Sequence, residues 1–140
     1  MHTEPFVVRP QDRERPLRVV GCGVTVLASN ERTGSYEITF QTGPEGMGPP
    51  PHSHPWDEAF FVVEGNVHFV LDGQALHAEA GTLIHIPAGT AHGFQFGAGG
   101  GKMLEMNGSG GGATKMFMAV DAEVPPGPPP DVGFLVQLLA

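Results

Sequence analysis

The chain has 140 residues, of which 40% are hydrophobic and 16% are charged, and its formal net charge is −8. This composition is typical of one folded domain, and it excludes a disordered chain or a chain with two full-sized cores. An acidic chain lacks the basic surface that binds nucleic acid or anionic membranes, so we expect neither partner. The charge favours a neutral or weakly charged small molecule as the ligand.

Glycine (21 residues) and proline (14 residues) favour short strands joined by tight turns over long helices. The single cysteine, Cys22, excludes an intrachain disulfide and is predicted to be a buried thiol in a strand. The N-terminal residues lack the apolar segment of a signal peptide, and no segment approaches the roughly 18 apolar residues of a membrane span. We therefore expect a soluble cytoplasmic domain.

The first predicted elements are an N-terminal arm and two strand regions. Residues 1–16 are polar and contain three prolines, which predicts an arm with one short strand at Phe6–Val8. Residues 17–28 are rich in Val and Leu without a helical period, which predicts strand. In residues 34–43, GSYEITFQTG, apolar and polar residues alternate, which predicts a half-buried strand. Its two faces would carry Tyr36, Ile38 and Phe40 on the apolar side and Glu37, Thr39 and Gln41 on the polar side.

The second half of the chain predicts further strands. Residues 66–80 alternate around Asp72-Gly73, a two-residue hairpin turn. Residues 82–96, TLIHIPAGTAHGFQF, predict a strand, a turn and another strand. Glycine-rich loops at 97–101 and 108–112 flank one more strand, and TKMFMAVDA, residues 114–122, predicts another. Residues 124–130, VPPGPPP, predict an extended segment, after which Asp131 can cap a short final helix.

These elements predict an all-β fold, because many short strands at close spacing with almost no helix indicate a sandwich or a barrel. We divide the chain into an N-terminal arm (1–16), a β-barrel (17–123) and a Pro-rich segment with a short C-terminal helix (124–140).

The segment GMGPPPHSHPWDEAFFVVEG, residues 46–65, places three ionisable side chains on one face of an extended chain. His52, His54 and Glu58 are an even number of residues apart, and Phe60 and Val62 continue the same face into an apolar run. Burying three ionisable groups is costly unless something compensates them. A divalent metal ion compensates all of them, because imidazole and carboxylate are its natural ligands.

A second segment, GTLIHIPAGTAH, supplies His92 at the start of another strand. Phe94 and Phe96 lie on the same predicted side, so an aromatic wall would border the metal. Two segments on neighbouring strands are therefore enough to supply all the ligands of one metal site.

The two segments resemble the paired motifs of the cupin superfamily. The first motif, G-x5-H-x-H-x(3,4)-E-x6-G, is matched by Gly46, His52, His54, Glu58 and Gly65. The second motif, G-x5-P-x-G-x2-H-x3-N, is matched by Gly81, Pro87, Gly89 and His92, with Phe96 where the family usually has Asn. The resemblance implies an antiparallel double-stranded β-helix, the jelly-roll or cupin barrel. It also implies a homodimer.

The chain looks particularly similar to quercetinase-like cupins of a single domain. That similarity implies one divalent transition metal ion (Fe, Mn, Ni, Co, Cu or Zn) bound by His52, His54, Glu58 and His92. It also implies a catalytic base at Glu58 and a dioxygenase acting on a small aromatic or enolisable substrate. The predicted substrate pocket consists of Phe60, Val62, Phe94, Phe96, Tyr36 and Phe40.

Two other functions stay open alongside a dioxygenase. The first is a metal-dependent isomerase, lyase or decarboxylase, and the second is a metal-binding or ligand-binding module without catalysis. Trp56 could cover the mouth of the pocket or lie in a dimer contact. We favour a place in the pocket wall for His85.

Overall fold

The computed structural model describes residues 4–108 and 112–123. Within them the chain forms an antiparallel sheet in the order β1-β2-β3-β7-β4-β5, with β6 also paired to β4. The strands are β1 Leu17–Val19, β2 Cys22–Ala28, β3 Glu37–Gly43, β4 Glu58–Leu71, β5 Gln74–Glu79, β6 Leu83–Ile86 and β7 His92–Asn107. The helices are a short 3-10 helix at Pro10–Asp12, α1 at Asn30–Thr33 and α2 at Ala113–Glu123. The predicted all-β antiparallel fold is confirmed.

The two long strands β4 and β7 bend the sheet around its core. They pair from end to end, and their register shifts between Val62 and Glu64 and again between Gly65 and Val67. Gly65 has a φ of +76°, and a Cβ on it would collide with the carbonyl oxygen of Gly100 in β7. Glycine is therefore required where the bulged strands cross, and the bulges increase the local bend and twist.

The core has two apolar clusters. The larger one fills the interior between β4 and β7 and includes Phe60, Val62, Val67, Phe69, Phe94, Phe96 and Met103. The smaller one joins α2 to β1 and β2 and consists of Val19, Val24, Ala113, Phe117 and Val120. Helix α2 thus packs against the strands near one end of the barrel.

Residues 114–122 form part of α2, so the prediction of a strand there is wrong. Ala113, Phe117 and Val120, spaced by four and three residues, are all buried against the strands. This spacing is the period of a helix, and burial of that face outweighed the preference of individual residues for strand. Phe6–Val8, predicted as a short strand, is not one. The predicted segment and final helix at 124–140 lie outside the described residues.

Strand β3 faces the opposite way from the prediction. Its buried residues are the polar ones (Glu37, Thr39 and Gln41), whereas Tyr36 is 47% exposed. Phe40 is half-buried on the outer face, where the Arg13 guanidinium lies 4.9 Å from the centroid of its ring. The arm therefore gives an apolar side chain partial cover outside the barrel, and the polar face turns inward.

Neither α1 nor α2, the α-helices of the described residues, is long and apolar enough to cross a membrane.

Candidate metal centre

An extended segment beside the start of β7 carries the first two histidines. His52 N donates to His92 O at 2.9 Å, and His92 N donates to His52 O at 2.8 Å. The prolines at 49–51 restrict this segment to extended conformations. Gly93 leaves no room for a side chain, because a Cβ there would lie 2.8 Å from the backbone nitrogen of Pro51. The close approach of the two backbones brings His52 and His92 together.

His54 and Glu58 complete a group of four buried polar side chains. One ring nitrogen from each of His52, His54 and His92 lies within 4.8 Å of the other two. Glu58 begins β4, and its Oε1 contacts Nε2 of His92. The four residues are only 3% to 8% exposed. The structure therefore brings together all four side chains that the sequence proposed as metal ligands.

Backbone carbonyls fix the tautomers of two of the three rings. Nδ1 of His52 lies 2.8 Å from Pro50 O, and Nδ1 of His92 lies 2.8 Å from Thr90 O. A carbonyl oxygen only accepts hydrogen bonds, so each Nδ1 carries a proton and each neutral ring has its lone pair on Nε2. Histidines that bind metals usually have this arrangement, in which the second nitrogen donates to a backbone or carboxylate oxygen.

Other buried atoms of the group lack hydrogen-bond partners. His54 Nδ1 and Glu58 Oε1 are buried without a hydrogen bond to the described residues, although Glu58 Oε1 contacts Nε2 of His92. An unpaired buried polar atom costs about 1–3 kcal/mol. A divalent transition metal ion would give Glu58 Oε1 a partner, because such an ion binds imidazole nitrogen and carboxylate oxygen together. The donor set therefore fits such an ion.

Burial and Glu58 move the pKa values of the three histidines in different directions. Burial lowers the pKa of His54 to about 3, and the neighbouring His52 and His92 add to the effect. Burial also lowers the pKa of His52. Burial acts to lower the pKa of His92 too, but Glu58 and the Thr90 carbonyl outweigh it and raise that pKa. Two of the three rings are thus held in the neutral form that binds metal.

A cavity of about 20 Å³ adjoins the four side chains. It is large enough for about one water molecule. Phe60 and Phe94, whose ring centroids are 5.5 Å apart, form its aromatic wall. Met116 and Phe117 of α2 line another side.

A second wall of the cavity is polar and includes Gln41 and Glu105. Oε1 of Glu105 accepts hydrogen bonds from Asn107 Nδ2 at 2.8 Å and from Thr39 Oγ1 at 3.5 Å. Burial and, to a smaller extent, the nearby Glu58 raise the pKa of Glu105 to about 8. Glu105 therefore keeps its proton at neutral pH and can donate it.

The predicted pocket residues fall into three groups. Phe60 and Phe94 line the cavity, and Val62 and Phe96 are buried in the adjoining core. Tyr36 and Phe40 lie on the outer face of β3, so the prediction that they line the pocket is wrong.

Other side chains with an open role are also placed. Cys22 lines the cavity, and burial raises the pKa of its thiol to about 12. His85 is exposed on the outer side of β6, so its predicted place in the pocket wall is wrong. Trp56 stacks on the ring of His54.

Sequence reasoning missed the polar wall because the parity of β7 changes along the strand. His92, Phe94 and Phe96 are buried at even positions, whereas Met103, Glu105 and Asn107 are buried at odd positions. Gly99 and Gly100 lie between the two sets with φ near +80°. The run GAGGG at 97–101 was the available indication of a bulge, which shifts the alternation by one residue.

Known proteins share this fold. Residues 39–105, which include all four candidate ligands, match the sequence model of the Cupin_2 family, described as a cupin domain. No curated protein sequence matches the chain.

Solved structures resemble the chain over most of its length. KdgF from Halomonas sp. has a TM-score of 0.71 at 16% identity, covering 79% of this chain and 99% of its own. An RmlC-like cupin from Shewanella frigidimarina has a TM-score of 0.70 at 19% identity, covering 81% and 99%. The polyketide cyclase RemF from Streptomyces resistomycificus has a TM-score of 0.65 at 24% identity, covering 75% and 80%. At these identities the similarity shows the fold.

Proposed function

The chain is a small single-domain cupin, and we propose on that basis that it is a quercetinase-like, metal-dependent dioxygenase. The metal would be one divalent transition metal ion held by His52, His54, His92 and Glu58. The substrate would be a small aromatic or enolisable molecule. The observation that carries the proposal is the convergence of three buried histidine rings and a buried carboxylate, with His54 Nδ1 and Glu58 Oε1 left without hydrogen-bond partners among the described residues.

A bound ion of this class would supply Lewis acidity and, where it is redox-active, the ability to activate dioxygen. The role of the protein is to hold the ring nitrogens in place. The carbonyls of Pro50 and Thr90 do this for His52 and His92, since each fixes one Nδ1–H at 2.8 Å.

Glu58 is suited to act as a base. Its Oε1 has no hydrogen-bond donor among the described residues, so a Glu58 that leaves the metal ion can accept a proton from a substrate hydroxyl or an acidic C–H. Phe60 and Phe94 offer ring faces and edges against which an aromatic substrate can pack. No Lys or Arg of the described residues lines the cavity. A neutral substrate therefore fits better than an anionic one.

Glu105 favours a second candidate function, a metal-dependent isomerase, lyase or decarboxylase that does not consume dioxygen. It supplies a carboxyl group in the same cavity as Glu58, and burial raises its pKa to about 8. Two groups with different proton affinities can divide the work of acid and base, one donating and the other accepting. Glu58 would then remove a proton and Glu105 would return one.

Oxygen uptake distinguishes the two functions. The metal-free protein is loaded separately with Fe(II), Mn(II), Co(II) and Ni(II) and is mixed with flavonols and β-diketones in an oxygen electrode. A dioxygenase consumes oxygen in step with substrate loss and is inactive under argon. Turnover that persists under argon would instead support the second function, and tight binding without any product would support a module without catalysis.

The variant Glu58→Gln is the matched control for the base. It keeps the size of the side chain but removes the group that accepts a proton, so we expect substrate turnover to fall much more than substrate binding. Wild-type protein that binds none of these metals would contradict both candidate functions.

We also propose that the chain forms a homodimer in which the outer face of β4 and β6 binds a second copy of the chain. Phe61 and Leu83 are paired across these strands and are 38% and 62% exposed, and Val63 beside them is 46% exposed. Two copies that each carry a net charge of −8 repel one another, so they can associate only through uncharged surface such as this one. Light scattering after gel filtration should give twice the chain mass for the wild type and the mass of one chain for Leu83→Glu. A monomeric wild type would contradict this.

A further inference from the structure

His54 differs from the other two histidines in how its ring is held. His52 and His92 each donate a hydrogen bond from Nδ1 to a backbone carbonyl, whereas Nδ1 of His54 is buried without a partner. The ring of His54 instead stacks on the indole of Trp56. The centroids are 4.3 Å apart and the planes differ by 6°.

Hydrogen bonds hold the indole of Trp56 in turn. Its Nε1 donates to Oδ1 of Asn107 at 2.7 Å, and Nδ2 of Asn107 donates to Oε1 of Glu105 at 2.8 Å. Asn107 is only 2% exposed and Glu105 only 4%. The amide oxygen of Asn107 accepts one hydrogen bond and its amide nitrogen donates the other, so the amide cannot flip without breaking both bonds. The chain Glu105–Asn107–Trp56 therefore fixes the plane on which His54 rests.

We propose that Trp56 is a positioning residue that orients His54 toward the metal through ring stacking. The proposal rests on the proposed metal binding. A stacked ring is held in a fixed plane only where its partner ring is itself fixed, so the hydrogen bond to Asn107 adds to what the indole contributes. Groups that orient a metal ligand in this way typically contribute tenfold to a hundredfold to metal affinity.

Trp56 also packs against the smaller apolar cluster. The experiment must therefore separate this contribution to folding from the proposed orientation of His54. Val120 belongs to that cluster and is fully buried, but it is not part of the stack or of its hydrogen bonds. Val120→Ala is therefore the matched control, because it disturbs the same packing and leaves the support of His54 in place.

The experiment measures Co(II) binding by full-length protein, using visible absorption for the coordination geometry and a titration for the affinity. We expect Trp56→Ala to lower affinity at least about tenfold and to change the Co(II) spectrum. Trp56→Phe, which keeps a ring to stack on but loses the Nε1 donor, should fall between Trp56→Ala and wild type. Val120→Ala should keep the wild-type affinity and spectrum even where it lowers the melting temperature.

A double variant tests the hydrogen-bonded support directly. If Asn107 acts through Trp56, Asn107→Ala added to Trp56→Ala should lower affinity no further than Trp56→Ala alone. Additive losses would overturn the proposal, and so would Trp56→Ala with wild-type affinity and spectrum, or equal losses in Trp56→Ala and Val120→Ala. If Trp56→Ala fails to fold, the Co(II) affinities of wild type, Trp56→Phe and Asn107→Ala are compared instead, and we expect both variants to bind more weakly than wild type. Equal affinities and spectra in all three proteins would overturn the proposal.

The outcome for the wild type separates the two levels of the argument. Wild-type protein that binds no Co(II) contradicts the proposed function and the positioning role together. If wild-type protein binds Co(II) and the Trp56 variants bind it with the same affinity and spectrum, the result contradicts the positioning role alone. Trp56 is the only tryptophan of the chain, so quenching of its fluorescence by Co(II) is an independent readout that the ion binds beside it.

Discussion

The interior of the barrel has two unlike walls. One wall, on β4 and the first half of β7, is aromatic and aliphatic and includes Phe60, Phe69 and Phe94, whose ring centroids are 5.4 to 5.6 Å apart. The other wall, on β3 and the second half of β7, is polar and includes Gln41 and Glu105, both buried. The apolar wall gains stability from burial, whereas the polar wall has a cost that only hydrogen bonds or a ligand can offset.

The difference shows that the same strands supply both the packing of the core and the polar groups of the site. Strand β7 contributes Phe94 to the apolar wall and Glu105 to the polar wall, with the glycine bulge at 97–101 between them. Substitutions in the apolar wall should therefore affect folding. Substitutions in the polar wall and at the metal ligands should affect binding, and some should even stabilise the protein.

The apolar wall should give the largest loss of stability. Phe69 is fully buried, so Phe69→Ala removes a ring and leaves a cavity. We expect the free energy of unfolding to fall by about 3–5 kcal/mol, as measured by urea denaturation. A loss below about 1 kcal/mol would contradict the idea that this wall holds the fold.

A metal ligand should show the reverse pattern, with a large loss of binding and an intact fold. His92 lies at the centre of the group, in contact with Glu58 and bridged to His52. We expect His92→Ala to weaken metal binding by more than about a hundredfold, since even the groups that support metal ligands contribute tenfold to a hundredfold. Elemental analysis and circular dichroism measure the two effects. Stoichiometric metal in this variant would contradict the site.

Acid should release the metal before it unfolds the barrel. Glu58 raises the pKa of His92, so this ring takes up its proton first and competes with the metal at the highest pH. We expect metal affinity to fall as the pH drops through the pKa of His92, which is raised above the ordinary histidine value of about 6.5, as followed by equilibrium dialysis at a series of pH values. Undiminished metal at pH 4.5 would contradict the prediction.

The metal-free protein should also lose stability in acid, for a different reason. Burial lowers the pKa of His54 to about 3, so the unfolded chain binds a proton that the folded chain refuses. The stability from this group is present above the unfolded pKa of about 6.5 and is lost as the pH falls toward 3. His54→Gln should flatten this part of the pH profile of the melting temperature.

The polar wall should give the smallest effect, and one of the opposite sign. The pKa of Glu105 is raised to about 8, so between pH 4.5 and 8 the unfolded chain releases a proton that the folded chain keeps. Stability therefore decreases as the pH rises through this range. Glu105→Gln removes the titration, so we expect the metal-free variant to gain stability relative to wild type as the pH rises from 4 to 7. A less stable variant at pH 7 would show that the carboxyl group supports the fold.

The sequence predicted the parts of the site that local spacing controls. His52, His54 and Glu58 lie in one extended segment without a bulge, so the alternation of an extended chain placed them on one face. His92 was placed by the turn around Pro87 and Gly89 and by the resemblance to cupins. The structure brings all four together as expected.

The sequence failed where the side of a strand depends on distant parts of the chain. The polar face of β3 turns inward because its partners Glu105 and Asn107 are inside, and these are inside because of a bulge in β7. Neither fact is visible in the alternation of β3 itself, which is equally regular in both orientations. The helical spacing of Ala113, Phe117 and Val120 was visible, but the strand preferences of the same segment obscured it.

The placement of α2 has a consequence for the order of events during biosynthesis. Helix α2 lines the cavity through Met116 and Phe117, yet all four candidate ligands precede it in the chain. A ribosome therefore exposes the complete donor set before the covering helix has left the exit tunnel. An ion present at that moment meets a barrel without α2, whereas one that arrives later meets a cavity that Met116 and Phe117 help to line. Metal uptake by refolding protein should accordingly outpace uptake by the folded metal-free protein.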